Sequence, residues 1–486
     1  MVLLQVTSPD TEAYIGNEPA LIQEEFERRY LKDNETAEKS VIRKAIRRLT
    51  KCSPLSCICS FFPIFCWLPR YKWHTDLHGD IVGGLTVGIM HVPQGMAYAT
   101  LASLPPVYGL YSSFFASTIY SFFGTSKHIS IGTFAVGSLM VGSTRLRLLP
   151  DSEAMNNVTA LTNGTFEDDN SLIHEGLTPV MITSALTFGL VMAFLHLGFL
   201  TAYLSDPLIS GFTTGSACHV FMAQINKILG VKLPRYNGIG QLFLMCRDLI
   251  KAIPVANIYT VALSLFGILF LKVGKSCINP FIQKRYSIPF PTELLLVIIA
   301  TVFSSAVNLK KQCGIHIVDY VPQGVPMPTV PRFDILSSMV ADSIGIAFVC
   351  YTFVISMAKL FAKKRKYSID PQQKPKKYET ATYIQEIYAV SFMSLLSSFF
   401  PVYPCGASLS RSSVCEQSGT RTQLHTFFSS SLLLAVIIWI GPLLEPLPMC
   451  ILACIVVVSL ESLFLQVKEL PLLWRISPFD FVCVCL

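Results

Sequence analysis

The feature that most restricts the fold of this sequence is a series of apolar stretches that recurs from residue 80 onward. Each stretch is close to the length of about 20 residues that crosses a bilayer as a helix. They lie at about 81–101, 108–123, 130–147, 177–197, 207–229, 252–272, 288–307, 336–361, 384–400, 407–418, 424–444 and 447–462, and a last one begins near 479. Only 14% of the 486 residues are charged, whereas a soluble domain carries about 25%. Because so few charges cannot cover a water-facing surface, the sequence predicts an all-α polytopic membrane protein.

Two of these stretches, at 130–147 and 407–418, are short and rich in Gly and Ser, and turn-prone sequence precedes each of them. These properties are typical of half-helices that are entered through short strands. In each half of the chain, two long stretches come before the short one. This order predicts a transporter fold of two inverted repeats with seven spans each. The first repeat covers about 76–308, and the second, which is incomplete, covers about 332–486.

The loops between the stretches predict an orientation. Residues 1–75 are polar and basic, and we interpret them as a cytosolic N-terminal arm. The acidic loop at 149–175 then lies outside the cell, and it carries glycosylation sequons at Asn157 and Asn163. The cluster Lys363–Lys366 lies inside, as the positive-inside rule requires. We therefore expect a multi-pass glycoprotein of the plasma membrane with its N-terminus in the cytosol.

Several function classes find no support in the residue pattern. The Lys and Arg that give the net charge of +7 are clustered between apolar stretches, which favours cytosolic loops over a nucleic-acid surface. The sequence contains no nucleotide-binding, nucleophile-elbow or zinc motif, so we expect no enzyme, catalytic residue, cofactor or metal. His91, His128 and His219 lie in or near spans but are not spaced as a metal pair. Structural roles are favoured for them over a proton relay.

The two half-helices predict an anion site. A helix N-terminus has unpaired N–H groups and about half a positive charge, so it attracts anions. Two short helices of opposite polarity that meet near the middle of the membrane point both of their N-termini at one ion. The residues at these starts are Gly132, Phe134 and Ala135 in the first repeat and Gly406 and Ser408 in the second. A glycine lets an ion approach the backbone closely, although a packing or turn glycine is an equal alternative.

Arg411 lies inside the second short stretch. A guanidinium within a span costs at least about 2.5 kcal/mol, so it requires an anionic partner. Two kinds of partner are open. If the transported anion is the partner, Arg411 is a binding residue, which is the interpretation we favour. If the partner is a carboxylate such as Glu293 or Asp342, the two form a structural ion pair.

Several motifs, in order and at suitable spacing, resemble those of the sulfate permease family of anion exchangers. Pro105–Phe114 reads PPVYGLYSSF, and Gly124–Gly132 reads GTSKHISIG. The segments Val92–Tyr98, Leu204–Leu208 and Ser408–Ser412 are similar to the first, fifth and tenth spans of that family. The resemblance extends from about residue 60 to the C-terminus.

This resemblance implies a fourteen-span fold with core and gate domains, a homodimer, and transport of chloride, bicarbonate, sulfate or oxalate. It also implies that Tyr98, Phe134 and Ser410 lie beside the anion. Thr133 departs from the family pattern, because many relatives carry Pro there. We expect Thr133 either to loosen the start of the half-helix or to add a hydroxyl to the site. Family members have a cytosolic STAS domain after the last span, and this chain ends before it.

Three functions stay open at this point. The favoured one is secondary active exchange of sulfate or oxalate with chloride or bicarbonate, in which core and gate rock around the half-helix site. The second is an uncoupled chloride channel of the same fold. The third is a truncated isoform that cannot transport and associates with full-length subunits.

Overall fold

The computed structural model describes residues 62–149, 178–196, 206–231, 241–286, 290–365 and 379–464. Within these residues the chain forms sixteen α-helices and one two-stranded sheet. The elements of the first part are α1 Ile64–Trp67, α2 Trp73–Leu101, α3 Val107–Phe123, β1 Ile131–Gly132, α4 Ala135–Leu148, α5 Pro179–His196, α6 Asp206–Leu229, α7 Gln241–Ala252, α8 Ile258–Val273, α9 Asn279–Tyr286, α10 Thr292–Val307 and α11 Leu309–Cys313. Those of the second part are α12 Val340–Arg365, α13 Glu379–Ser397, β2 Gly406–Ala407, α14 Leu409–Gln417, α15 Leu424–Ala435 and α16 Met449–Phe464.

Helices dominate because a segment that crosses lipid must pair all its backbone groups internally. Three helical stretches within the described residues are long and apolar enough to cross a bilayer, namely Ile258–Ile282, Leu336–Ala358 and Leu424–Leu444. Four shorter apolar helices have the bounds Pro179–Val191, Thr292–Val307, Glu386–Ser397 and Met449–Glu461. Other helices carry polar side chains that the fold buries, as α2 does with Asp80, His91 and Gln94.

The sequence pattern placed most helices correctly but missed some interruptions. The stretch expected to begin at 252 becomes helical only at Ile258, because Ile253–Val255 forms a separate 3₁₀ turn. Asn257 then caps α8, and its side chain accepts hydrogen bonds from the backbone N–H groups of Tyr259 and Thr260. The helix α7 was not predicted at all, because its mixture of charged and apolar side chains does not resemble a span.

The helices form two packed groups, each with its own apolar core. The first bundle consists of α3, α5, α12 and α13, and the second consists of α6, α8, α10 and α16. Both α2 and α3 contribute side chains to the two cores, and α2 packs against α10 and α16 as well as against α3 and α15. The boundary between the two bundles therefore runs along α2.

The two short strands bring the broken segments of the two halves together. β1 and β2 pair in an antiparallel arrangement, with Ile131 opposite Ala407 and Gly132 opposite Gly406. A further hydrogen bond runs from the backbone N–H of Ser408 to the carbonyl oxygen of Ser130, at 3.3 Å. Because each strand leads directly into a short helix, this pairing places the starts of α4 and α14 side by side. In both halves two long helices precede this strand and short helix, which agrees with the predicted repeat.

The carboxylate of Glu386 is buried within the first bundle. Tyr120 donates its hydroxyl hydrogen to it at 2.9 Å, as does Ser126 at 2.9 Å. Thr125 donates both its backbone N–H, at 3.1 Å, and its hydroxyl. Since a buried charge needs such donors, Glu386 joins α13 to the turn after α3.

The structure corrects one expectation about charge. Asp342 was a candidate partner for Arg411, but it lies near the start of α12 and pairs with Arg147. Arg147 also donates to the carbonyl oxygen of Ser338 at 3.1 Å. Both charged side chains are partly exposed, at 48% and 30% for Arg147 and Asp342. Asp342 therefore lies at an edge of the helix bundle, where two charges cost little.

Some sequence predictions lie outside the described residues. These are the arm up to residue 61, the sequons at Asn157 and Asn163, and the stretch that begins near 479. They remain predictions.

Candidate anion-binding site

The starts of α4 and α14 have the geometry of two open helix N-termini. Phe134 and Ser408 occupy the N-cap positions, and both have extended backbones, with φ of −146° and −112°. Neither side chain accepts a capping hydrogen bond from its own helix. The first N–H groups of both helices are thus left for another acceptor.

A small cavity lies at these two helix starts. Its volume is about 40 Å³ for the centre of a water-sized sphere, several times the 10–15 Å³ or so that one water needs. The lining residues are Tyr98, Phe134, Ala135, Val136, Phe353, Ala407, Ser408, Leu409, Ser410, Ser459 and Leu460. They come from α2, α4, β2, α12, α14 and α16 and from the two N-caps, so both bundles contribute. None of these side chains carries a formal charge.

Five of the eight residues predicted for the site line this cavity, namely Tyr98, Phe134, Ala135, Ser408 and Ser410. Phe134 is 4% exposed and packs against Phe353, with ring centroids 5.2 Å apart. The hydroxyl of Tyr98 lies 3.4 Å from that of Ser459, across the boundary between the bundles. The predicted residues thus supply aromatic rings, hydroxyls and backbone N–H groups to one space.

The two predicted glycines lie beside the cavity rather than in its wall. A Cβ atom on Gly406 would be 2.8 Å from Cε1 of Phe134. One on Gly132 would be 2.6 Å from Cε1 of His91 and 3.2 Å from a terminal nitrogen of Arg411. Both positions therefore need glycine because side chains of other elements press against the strand backbone, which corresponds to the packing alternative.

Arg411 is fully buried and lies behind the cavity wall instead of in it. Its Nη2 donates to the carbonyl oxygen of Thr133 at 2.7 Å, and its Nη1 donates to Oε1 of Gln94 at 3.1 Å. Its Nε approaches the hydroxyl of Ser130 at 3.4 Å. Arg411 thereby ties α14 to α2 and to the residues between β1 and α4.

The amide of Gln94 connects Arg411 to Glu293, which was one of its two candidate carboxylate partners. Nε2 of Gln94 donates to Oε2 of Glu293 at 3.0 Å. All three side chains are buried, with Glu293 only 5% exposed. The partner of Arg411 is therefore an amide that leads to a carboxylate.

Sequence analysis missed Phe353, Ser459 and Gln94. Phe353 and Ser459 lie within apolar stretches where nothing in the local pattern separates a lining residue from a core residue. Gln94 lies in the motif Val92–Tyr98, and a polar amide in the middle of a span was a signal that could have identified it.

Two of the three histidines near the spans, His91 and His128, have polar contacts within the fold. Nε2 of His91 lies 3.1 Å from the hydroxyl of Ser130, and Nε2 of His128 lies 3.1 Å from the carbonyl oxygen of Thr420. Among the described residues, no group of three or more His, Cys, Asp or Glu side chains is arranged to hold a metal ion.

The sequence also matches a known family over most of its length. The model of the sulfate permease family matches residues 77–486. The chain belongs to the sulfate permease family. This is a family of membrane anion transporters, so the family implied by the motifs is confirmed.

Individual relatives cover the chain more fully than the chain covers them. Prestin of Danio rerio is 39% identical over 427 residues, which are 87% of this chain and 56% of prestin. Sulfate permease family protein 3 of Caenorhabditis elegans is 36% identical over 479 residues, with coverage of 90% and 60%. The sulfate transporter of Rattus norvegicus is 33% identical over 490 residues, with coverage of 96% and 64%. The chain thus spans about 56–64% of the length of these curated relatives.

Solved structures support the fold. The murine Solute Carrier 26 family member A9 anion transporter in the inward-facing state matches with a TM-score of 0.76 and 27% identity, over 96% of this chain and 71% of that one. The transmembrane domain of the cyanobacterial bicarbonate transporter BicA matches with a TM-score of 0.59 and 16% identity, over 84% and 97%. The second likeness concerns the fold alone. The predicted all-α polytopic transporter fold is confirmed.

Proposed function

We propose that the chain is a secondary active anion transporter that exchanges sulfate or oxalate with chloride or bicarbonate. The observation that carries this proposal is the cavity in which two uncapped helix N-termini meet. The two ends together supply about one positive charge, and backbone N–H groups and hydroxyls replace part of the hydration shell of an anion. The name of the rat relative, a sulfate transporter, supports the choice of sulfate.

The uncharged wall suits a transporter that must release its ion. An ion pair with a lining Arg or Lys would hold an anion tightly, whereas dipoles and hydroxyls bind it weakly enough for turnover. The wall includes Ser459 and Leu460 of the second bundle, and the remaining contacts come from α2, α12 and the two half-helices. A rocking motion of the bundles would separate these surfaces and open the cavity to one side.

We propose the remaining features from the family resemblance and the loop charges. The protein lies in the plasma membrane as a homodimer, with the N-terminus in the cytosol. Asn157 and Asn163 carry glycans on the outer side. Loss of a glycosidase-sensitive gel shift in the Asn157→Gln, Asn163→Gln double variant tests this orientation.

Radiolabelled sulfate uptake into cells that express residues 1–486, with and without an outward chloride gradient, tests the exchange function. Surface labelling measures how much protein reaches the plasma membrane. Exchange predicts uptake that rises with the chloride gradient. A chloride current that reverses at the equilibrium potential of chloride, without one-for-one exchange, would identify the channel alternative. No uptake by protein that reaches the surface would contradict transport by this chain.

A further inference from the structure

A line of hydrogen-bonded polar side chains connects the half-helix α14, through α2, to α10 in the second bundle. Arg411 of α14 donates to Gln94 of α2 at 3.1 Å, and Gln94 donates to Glu293 of α10 at 3.0 Å. Arg411 and Gln94 are 0% exposed. An apolar boundary between two bundles does not need this line, so its presence requires an explanation.

The donor and acceptor inventory fixes the direction of the line. An arginine side chain can only donate, so Gln94 must present its carbonyl oxygen to Arg411. The amide nitrogen of Gln94 must then face Glu293, which accepts. Gln94 therefore links a cation to a carboxylate and keeps them apart by one amide group.

Two features place positive charge beside Glu293. It lies in the first turn of α10, where the positive end of the helix dipole stabilises a negative charge. It also interacts electrostatically with Lys275 as well as with Arg411. Lys275 lies in a π-helical turn between α8 and α9, and its amino group points to the carbonyl oxygen of Val458 at 3.4 Å.

The charges around the cavity can then be counted. The two helix N-termini contribute about one positive charge, Arg411 and Lys275 contribute one each, and an ionised Glu293 cancels one. A change in the charge of Glu293 alters the interaction with a divalent anion twice as much as that with a monovalent anion.

We propose that Glu293, held by Gln94 against Arg411, sets the selectivity of the cavity between monovalent and divalent anions. Glu293 does not line the cavity, so it is a positioning and specificity-determining residue and not a ligand. The proposal rests on the proposed function, because it assumes that the cavity binds the transported anion.

Two substitutions separate the charge of Glu293 from its hydrogen bond. Glu293→Gln removes the charge but keeps an oxygen that accepts from Gln94. Glu293→Asp keeps the charge but draws the carboxylate back by one methylene group and weakens that hydrogen bond. Glu445→Gln is the matched control, since Glu445 lies far along the chain from α10 and its carboxylate accepts from the backbone N–H of Val321.

The measurement is anion binding to the purified 486-residue chain in lipid nanodiscs, with sodium sulfate and sodium chloride as probes. A ligand that binds only the folded state stabilises it by RT ln(1 + [L]/Kd), so the dependence of the thermal midpoint on anion concentration yields each Kd without transport. The quantity of interest is the ratio of the chloride Kd to the sulfate Kd.

For Glu293→Gln we expect this ratio to rise on the order of tenfold. One elementary charge at about 10 Å in a medium of effective dielectric about 20 has an effect of that size per unit of anion charge. Glu293→Asp and Glu445→Gln should leave the ratio within about twofold of the parent chain.

An unchanged ratio in Glu293→Gln would overturn the inference while the proposed function stands, provided that the parent chain binds sulfate or chloride. Equal weakening of both anions in Glu293→Asp and Glu293→Gln would show a purely structural role and also overturn it. If the parent chain binds neither anion, the proposed function fails first.

Discussion

The wall of the cavity contains no charged side chain, whereas the layer behind it, which consists of Arg411, Gln94 and Glu293, contains two. The wall presents rings, hydroxyls and two helix starts, and none of its side chains is charged. The layer behind it buries a cation and a carboxylate that are joined through Gln94. The difference indicates that the field for an anion is built without a direct ion pair, because a fixed cation in the wall would slow release of the ion. Four substitutions test this division between wall and layer.

Arg411→Gln should have the largest effect. The substitution removes the guanidinium that donates to Gln94 and Thr133, and we expect a cost that approaches the value of about 3–5 kcal/mol for breaking a direct buried ion pair. We therefore expect a lower thermal midpoint and at least a tenfold loss of sulfate uptake per surface molecule. The double variant with Glu293→Gln should regain much of the stability but not the parent rate of uptake. Normal uptake by Arg411→Gln would show that the layer behind the wall contributes nothing to the anion.

Gly132→Ala should disturb the layer by overpacking. The new methyl group would lie 2.6 Å from Cε1 of His91 and 3.2 Å from a nitrogen of Arg411. Such overpacking typically costs about 1–3 kcal/mol, which thermal unfolding of the purified protein would register. Gly215→Ala is the control, because a Cβ there meets nothing within 4 Å. Equal midpoints for the two variants would contradict the close packing behind β1.

Ser410→Ala should affect the wall alone. Ser410 lines the cavity, and a hydrogen bond to a charged group contributes about 1.5–3 kcal/mol. We expect the Kd for sulfate to rise roughly tenfold or more, with little change in the thermal midpoint without anion. Ser413→Ala is the control on the same helix, since Ser413 accepts from Gln417 at 3.1 Å and does not line the cavity. Weaker binding in both variants would point to a general effect on α14.

Tyr98→Phe should have the smallest effect. The ring stays in the wall, and only the hydroxyl that reaches Ser459 at 3.4 Å is lost. A neutral hydrogen bond contributes about 0.5–1.5 kcal/mol, so a change of a few-fold in the sulfate Kd or uptake rate is expected. Tyr111→Phe removes a hydroxyl that donates to the carbonyl oxygen of Gly324 at 3.2 Å, outside the cavity. An identical response to both changes would argue against a special role for the contact between α2 and α16.

Much of this organisation could be predicted from the sequence. The apolar stretches predicted most of the helices, although not α1, α7, α9 and α11, and the Gly- and Ser-rich breaks predicted the two half-helices with their strands. These features are local, since a backbone in lipid must satisfy its own hydrogen bonds within a few residues. The motifs supplied Tyr98, Phe134 and Ser410, and the predicted half-helix starts supplied Ala135 and Ser408, all of which line the cavity.

Other features could not be predicted, because they depend on how distant helices pack. Gln94 lies 317 positions from Arg411 and 199 from Glu293. Sequence analysis offered Glu293 and Asp342 as equal candidates for the partner of Arg411, and only the packing of α10 beside α2 separated them. Phe353 and Ser459 had no distinguishing local pattern at all.

The sequence by itself thus determined that this is an anion transporter fold in a membrane, with two broken helices. Apolar length, loop charge and motif order are properties of neighbouring residues, and they leave few alternatives to a bilayer. The tertiary structure decided which side chains share the cavity and which charges lie behind it. That choice is made where two bundles meet along α2, because burial there requires each polar group to find a partner from another part of the chain.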